Sequence, residues 1–116
     1  MEYLGWIEIN FAAGHAPSED PCPWHPDNPS GHFYRIRGYC EGKYDPSRRQ
    51  PMEDLRAKLL AIREEFAGQI IDQMMPGAST SPAGIAAYML ERLSPEAISV
   101  RVMVDEESAM QISRRN

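Results

Sequence analysis

From Tyr3 to Phe11 the side chains alternate in character. Tyr3, Ile7, Ile9 and Phe11, with Gly5 among them, share one side, while Leu4, Trp6, Glu8 and Asn10 share the other. Period two with aromatic and β-branched residues predicts a strand, ended by Gly14 and His15. A second strand is predicted over His32 to Glu41, with His32, Tyr34, Ile36, Gly38 and Cys40 on one face and Phe33, Arg35, Arg37 and Tyr39 on the other. Antiparallel pairing across the long intervening loop is the simplest arrangement. The period then changes. Met52, Leu55, Leu59, Ile62, Phe66 and Ile70 recur at steps of three and four, which puts one apolar stripe on a helix. Pro51 suits the first turn of that helix, and Pro76-Gly77 stops it or its extension. Ser79-Thr80-Ser81 offers an N-cap to a second helix that starts at Pro82, buries Ile85, Tyr88, Met89 and Leu93, and ends near Ser94-Pro95. Ile98, Val100, Val102 and Val104 alternate in a third strand, and Ala109 to Ser113 forms a short last strand or tail. The expected fold class is α+β: an antiparallel four-stranded sheet in the order β-β-α-α-β-β, with two helices on one face.

Composition narrows the class without changing it. A chain of 116 residues is one domain, spanning 1–116. With 42% apolar and 25% charged residues it has the balance of a soluble globular protein. The net charge of −5 argues against a general nucleic-acid binder, which needs a basic face to displace counterions. The basic residues also read as scattered. No apolar run approaches the roughly 20 residues that span a bilayer, and the start MEYLGWIEIN is unlike a signal peptide, so a cytoplasmic location is expected. Cys22 and Cys40 are expected to be free thiols there.

Chemistry-bearing residues gather in one place. His15, His25 and His32 are all the histidines of the chain, and Pro17, Pro21, Pro23, Pro26 and Pro29 stiffen the loop between the first two strands. A loop of this length in a small domain points to function. The residues alone leave several readings open. His25 is a solvated loop residue or a metal ligand. Cys22-Pro23-Trp24-His25 chelates a metal through both ends, or holds a thiol acidified by a nearby cation, or is an ordinary loop thiol. Cys40 and the Met74-Met75 pair read as core packing.

In their order and spacing these segments resemble the 6-pyruvoyltetrahydropterin synthase and 6-carboxytetrahydropterin synthase family, of the T-fold class. Phe11-Ala12-Ala13-Gly14-His15 is similar to that family's F-x-x-x-H strand end. Gly31-His32-Phe33-Tyr34 is similar to the second half of its HGH-x-Y element. Gly42-Lys43-Tyr44-Asp45-Pro46 with Met52-Glu53-Asp54-Leu55-Arg56 looks like its turn and first-helix start, and Val102-Met103-Val104-Asp105-Glu106 like its V-x-V-x-E strand end. The resemblance implies a zinc ion on three histidines, one from F-x-x-x-H and two from HGH. Histidines two apart on a strand share a face, and three ligands leave a fourth position open for substrate. His15 and His32 match two of these ligands, whereas Ser30 stands at the third. If Pro26 to Ser30 is an inserted excursion, His25 takes over from the ligand missing at Ser30.

The resemblance also implies an acid or base cysteine four residues before HGH, where this chain has Pro26, leaving Cys22 as the nearest candidate. It implies an Asp-His proton relay, of which Asp72 is present and the histidine is replaced by Gln73; a solvated helix-end aspartate is the competing reading for Asp72. Glu106 matches the glutamate that holds the N–C–N edge of a pterin ring, against the reading of a solvent-facing strand-end acid. The family chemistry is triphosphate elimination with side-chain rearrangement or cleavage on dihydroneopterin triphosphate. The departures point to a metal-dependent lyase or cyclase with altered chemistry or substrate, acting on a pterin-like or related heterocycle. The alternative is a non-catalytic binding or assembly protein that kept the fold. The resemblance further implies a homo-oligomer, with a hexamer of two stacked trimers as the expected form; joining sheets edge to edge would also remove the open edges of a four-stranded sheet.

Overall fold

A computed structural model describes residues 1–14, 31–48, 50–104 and 108–114. Two long strands, β1 (Glu2–Gly14) and β2 (Gly31–Lys43), are followed by helices α1 (Pro51–Phe66), α2 (Ile71–Met74) and α3 (Pro82–Arg92). Strands β3 (Ser99–Val104) and β4 (Ser108–Ser113) complete the chain. The four strands form one antiparallel sheet in the order β1-β2-β3-β4. The expected α+β architecture is present, with one addition, the short α2.

The faces of the strands follow the alternation of the sequence. Ile7, Ile9, Phe11 and Ala13 of β1, Tyr34, Ile36 and Cys40 of β2, and Val100, Val102 and Val104 of β3 are buried together with Leu55, Leu59, Ile62 and Phe66 of α1 and Ile85, Met89 and Leu90 of α3. The other face carries Leu4, Trp6 and Phe33, all exposed. Cys40 is a fully buried free thiol, held above the usual thiol range mainly by burial. Met75 is buried and Met74 packs against the core, as expected of filler.

Three details differ from the expectation. First, β2 runs from Gly31 to Lys43, beyond the predicted ends at His32 and Glu41, because β1, which ends at Gly14 as expected, offers it a partner at every position. Second, Ile70 is not on the α1 stripe. The helix ends at Phe66, the Ala67 N–H bonds the Arg63 carbonyl, and Gly68 takes a φ of 74°, a left-handed turn that ends a helix. Ile70 instead bridges Gly14 in parallel fashion. Third, Ile71–Met74 forms a separate helix of 4 residues, too short to leave a periodic trace in the sequence.

Helix α3 begins where the sequence predicts its second helix. The Ser81 hydroxyl accepts from the Gly84 N–H at 3.1 Å, and Pro82 occupies the first turn. Gly84 is needed by close approach: a Cβ there would run into the carbonyl of Ser79. Gly84→Ala is therefore expected to destabilise the protein by about 1–3 kcal/mol through overpacking, against the gain of about 1 kcal/mol that alanine gives in an open helix. Urea unfolding measures the sign.

The connection from α3 to β3 is tied to α1. Lys58 Nζ donates to Glu96 Oε2 at 2.7 Å and to the Ser94 carbonyl at 3.1 Å. The hydrogen bond from Lys58 holds the Glu96 carboxyl below the ordinary glutamate range. A depressed carboxyl pKa contributes stability above the unfolded-state value, and that contribution is lost as pH falls through the folded-state value. Lys58→Met is expected to cost about 0.2–1 kcal/mol at pH 7, since the lysine is partly exposed. The difference between variant and wild type should shrink below about pH 4, as read from denaturant midpoints across a pH series.

Candidate functional site

The strand ends converge at one end of the sheet. Gly14, the last residue of β1, pairs with Gly31, the first of β2, and Ala13 pairs with His32. Val104, the last residue of β3, pairs with Tyr34. The chain therefore leaves β1, enters β2 and leaves β3 within a few ladder positions of one another. Segment 15–30, which contains His15, Cys22 and His25, is attached to the first two of these ends, and segment 105–107, which contains Glu106, to the third. His15, Cys22, His25 and Glu106 themselves lie outside the described residues.

His32 lies within them. It is on the inward face of β2, as the alternation predicts, and only 4% exposed. Its ring meets Tyr34 edge-on, with centroids 5.9 Å apart and planes at 82°. Tyr34 is fully buried and stacks on Phe11 at 5.6 Å, and Phe11 in turn meets Phe66 at 5.9 Å. The imidazole thus stands at the boundary between an aromatic core and the sheet end, with its rotation limited by packing. An imidazole restrained beside an apolar wall is a suitable ligand for a divalent cation. His32 is the one member of the expected ligand set that lies within the described residues, and among those residues no three His, Cys, Asp or Glu side chains come together.

A further element braces this end. The Gly68 N–H donates to the Ala12 carbonyl and the Gly14 N–H to the Gln69 carbonyl, both at 2.8 Å. These two bonds fasten the turn between α1 and α2 along the outer edge of β1. They also deliver the start of α2 to the end of the sheet where His32 sits. Asp72 is half-buried in the first turn of α2, and Gln73 beside it is exposed. Sequence reasoning missed the turn because Ile70 continues the helical spacing. The one signal available was Gly68, a residue suited to a helix stop.

No known protein-family model matches the chain, and no curated protein matches it in sequence. In three dimensions it matches the solved structure of Caenorhabditis elegans 6-pyruvoyl tetrahydropterin synthase, with a TM-score of 0.76 over 99% of this chain and 97% of that one. The fold is a T-fold. Identity to that structure is 15%, so the likeness carries the architecture and not the chemistry. Within the T-fold of this chain, the convergence of the β1, β2 and β3 ends beside His32 is the feature on which a functional reading can be built. In addition, no helix among the described residues is long and apolar enough to cross a membrane.

Proposed function

We propose that this T-fold chain is a metal-dependent lyase or cyclase acting on a pterin-like or related small nitrogen heterocycle, with chemistry or substrate altered from that of 6-pyruvoyl tetrahydropterin synthase. The observation that carries the reading is the burial of His32 at the point where β1 and β2 meet, with the end of β3 two ladder positions away. His15, His32 and His25 are the residues proposed to hold zinc, His25 replacing the ligand absent at Ser30. A zinc ion bound there would supply a Lewis acid that polarises a substrate oxygen and makes the neighbouring proton easier to remove.

The protein's own groups have distinct parts in this proposal. Cys22 takes or returns the proton. Glu106 accepts two hydrogen bonds from an N–C–N edge and so fixes the ring in its plane. Asp72, with Gln73 in place of a histidine, no longer relays a proton to a neighbour; it orients a donor or stays solvated. The functional unit is proposed to be a homo-oligomer, a hexamer of two stacked trimers, acting in the cytoplasm on a small molecule.

Elemental analysis of protein purified without chelator tests the metal. One zinc per chain is expected, and His25→Ala should lose it. Unchanged zinc in His25→Ala refutes the relocated ligand, and no stoichiometric metal in the wild type refutes the enzyme reading as stated. In that case the loss of histidine at positions 30 and 73 supports the other reading, a T-fold binding or assembly protein without catalysis. Cys22→Ala tests the proton-transfer role once a substrate is found: turnover should fall by about 10²–10⁴-fold, and full activity would remove Cys22 from the mechanism.

A further inference from the structure

The sheet face turned away from the helices carries an arrangement that the proposed reaction does not use. One ladder row crosses all four strands: Glu8 of β1 pairs with Arg37 of β2, Arg37 with Arg101 of β3, and Arg101 with Gln111 of β4. Two arginines therefore stand directly opposite each other on neighbouring strands, a placement in which like charges destabilise a sheet. The two side chains separate. Arg37 turns toward β1, where Nε donates to Glu8 Oε1 at 3.1 Å and the guanidinium lies 4.0 Å above the Trp6 ring. Arg101 turns toward β4, where Nε donates to the neutral Gln111 Oε1 at 3.1 Å, and its guanidinium is 6.0 Å from the Tyr39 ring. Among the described residues Arg101 meets no carboxylate. Departures from local rules that carry no structural gain tend to mark function, and this one leaves a surplus cation in a chain whose net charge is −5.

We infer that the outer sheet face binds the phosphate group of a small molecule between Arg37 and Arg101, across the sheet from His32. A tetrahedral oxyanion presents oxygens in several directions and can accept from both guanidinium groups at once. The one carboxylate on this row, Glu8, is already divided between two arginines, with Oε1 accepting from Arg37 Nε at 3.1 Å and Oε2 from Arg35 Nε at 3.3 Å, so it has no oxygen left for Arg101. Trp6, which stays half exposed beneath Arg37, and Tyr39, whose hydroxyl accepts from Arg37 Nη1 at 3.5 Å, flank the two arginines and give the rest of the molecule aromatic edges to pack against. Glu8 competes with the ligand for Arg37. It sets the affinity and prepositions the guanidinium, with the partly buried Arg37 and Glu8 both 20% exposed or less.

Titration of the intact chain with inorganic phosphate, at constant ionic strength and in a Trp24→Phe background, isolates the emission of Trp6 as the reporter. Saturable quenching or enhancement is expected with phosphate, and acetate should bind at least tenfold more weakly. Arg101→Gln should weaken phosphate at least tenfold, while Glu8→Gln should tighten it, a change of opposite sign that loss of structure does not produce. A linear response, or equal affinity for acetate and phosphate, overturns the inference. So does phosphate binding that survives Arg101→Gln and disappears with a metal chelator, because that places the anion at the proposed zinc site instead.

Discussion

Phe66→Ala is expected to remove about 3–5 kcal/mol from the unfolding free energy. The ring is fully buried and meets Phe11 at 5.9 Å and Tyr88 at 6.3 Å, so it joins β1, α1 and α3 at one point. Neither neighbour is free to close the gap: Phe11 is held in its stack with Tyr34, and the Tyr88 side is covered by Arg92, whose guanidinium lies 5.9 Å from the Phe66 ring and bonds Glu65 at 2.8 Å. A cavity that cannot collapse gives the upper part of that range. Domains of this size are stable by about 5–15 kcal/mol, so the variant should lose a large share of its stability. Urea unfolding with an unchanged m-value and a much lower midpoint is the expected result. A loss below about 1 kcal/mol would mean that the end of α1 is not anchored as described. The consequence reaches the candidate site, because Phe66 is the last residue of α1 and the turn that fastens to Ala12 and Gly14 begins directly after it.

The second large effect concerns assembly. In an antiparallel strand the backbone groups of alternate residues point to opposite edges. The Ala12 carbonyl and the Gly14 N–H face away from β2, toward the turn at 68–69. The N–H of Asn10 therefore faces the same outer edge, at which a second subunit's strand would pair in the proposed homo-oligomer. Asn10→Pro removes that donor while leaving the bonds between β1 and β2 in place, and proline is tolerated on an edge strand whose N–H points outward. In the proposed homo-oligomer the variant should sediment as a smaller species at micromolar concentration, with its strand circular dichroism retained. Ile9→Pro, whose N–H faces β2, should instead unfold the protein. If Asn10→Pro sediments as the wild type does, β1 is not the joining edge.

Much of the scaffold was legible because burial repeats with the period of each element. Alternation placed Ile7, Ile9 and Phe11, and likewise His32, Tyr34 and Ile36, on the inner face, and their exposure bears this out. Ser81-Pro82 announced α3 by capping chemistry, and Val100, Val102 and Val104 announced β3. What escaped was short or set by long-range contact. Ile70 keeps step with the α1 stripe yet belongs to a bridge with Gly14, since a left-handed Gly68 overrides spacing. The cross-strand row Glu8–Arg37–Arg101–Gln111 was invisible to a linear reading, in which the arginines look scattered, because strand register alone brings them into line. At the candidate site the sequence pattern put His32 on the buried face and at the start of a strand, both of which hold. His15 and Glu106 are assigned by motif, Cys22 and His25 as the nearest candidates to motif positions that Pro26 and Ser30 occupy, and all four lie outside the described residues.

The Gly14–Gly31 pair has one more implication, for how such a protein can change over generations. Thirteen consecutive partners from Glu2–Lys43 to Gly14–Gly31 set the register of the first two strands, and segment 15–30 closes on the last of them. Closing a loop depends only weakly on its length, each doubling costing about 0.6 kcal/mol. Residues can therefore be added, removed or exchanged between 15 and 30 without any position of the sheet having to move. Selection is free to change the residues there while the scaffold that holds His32 is inherited intact.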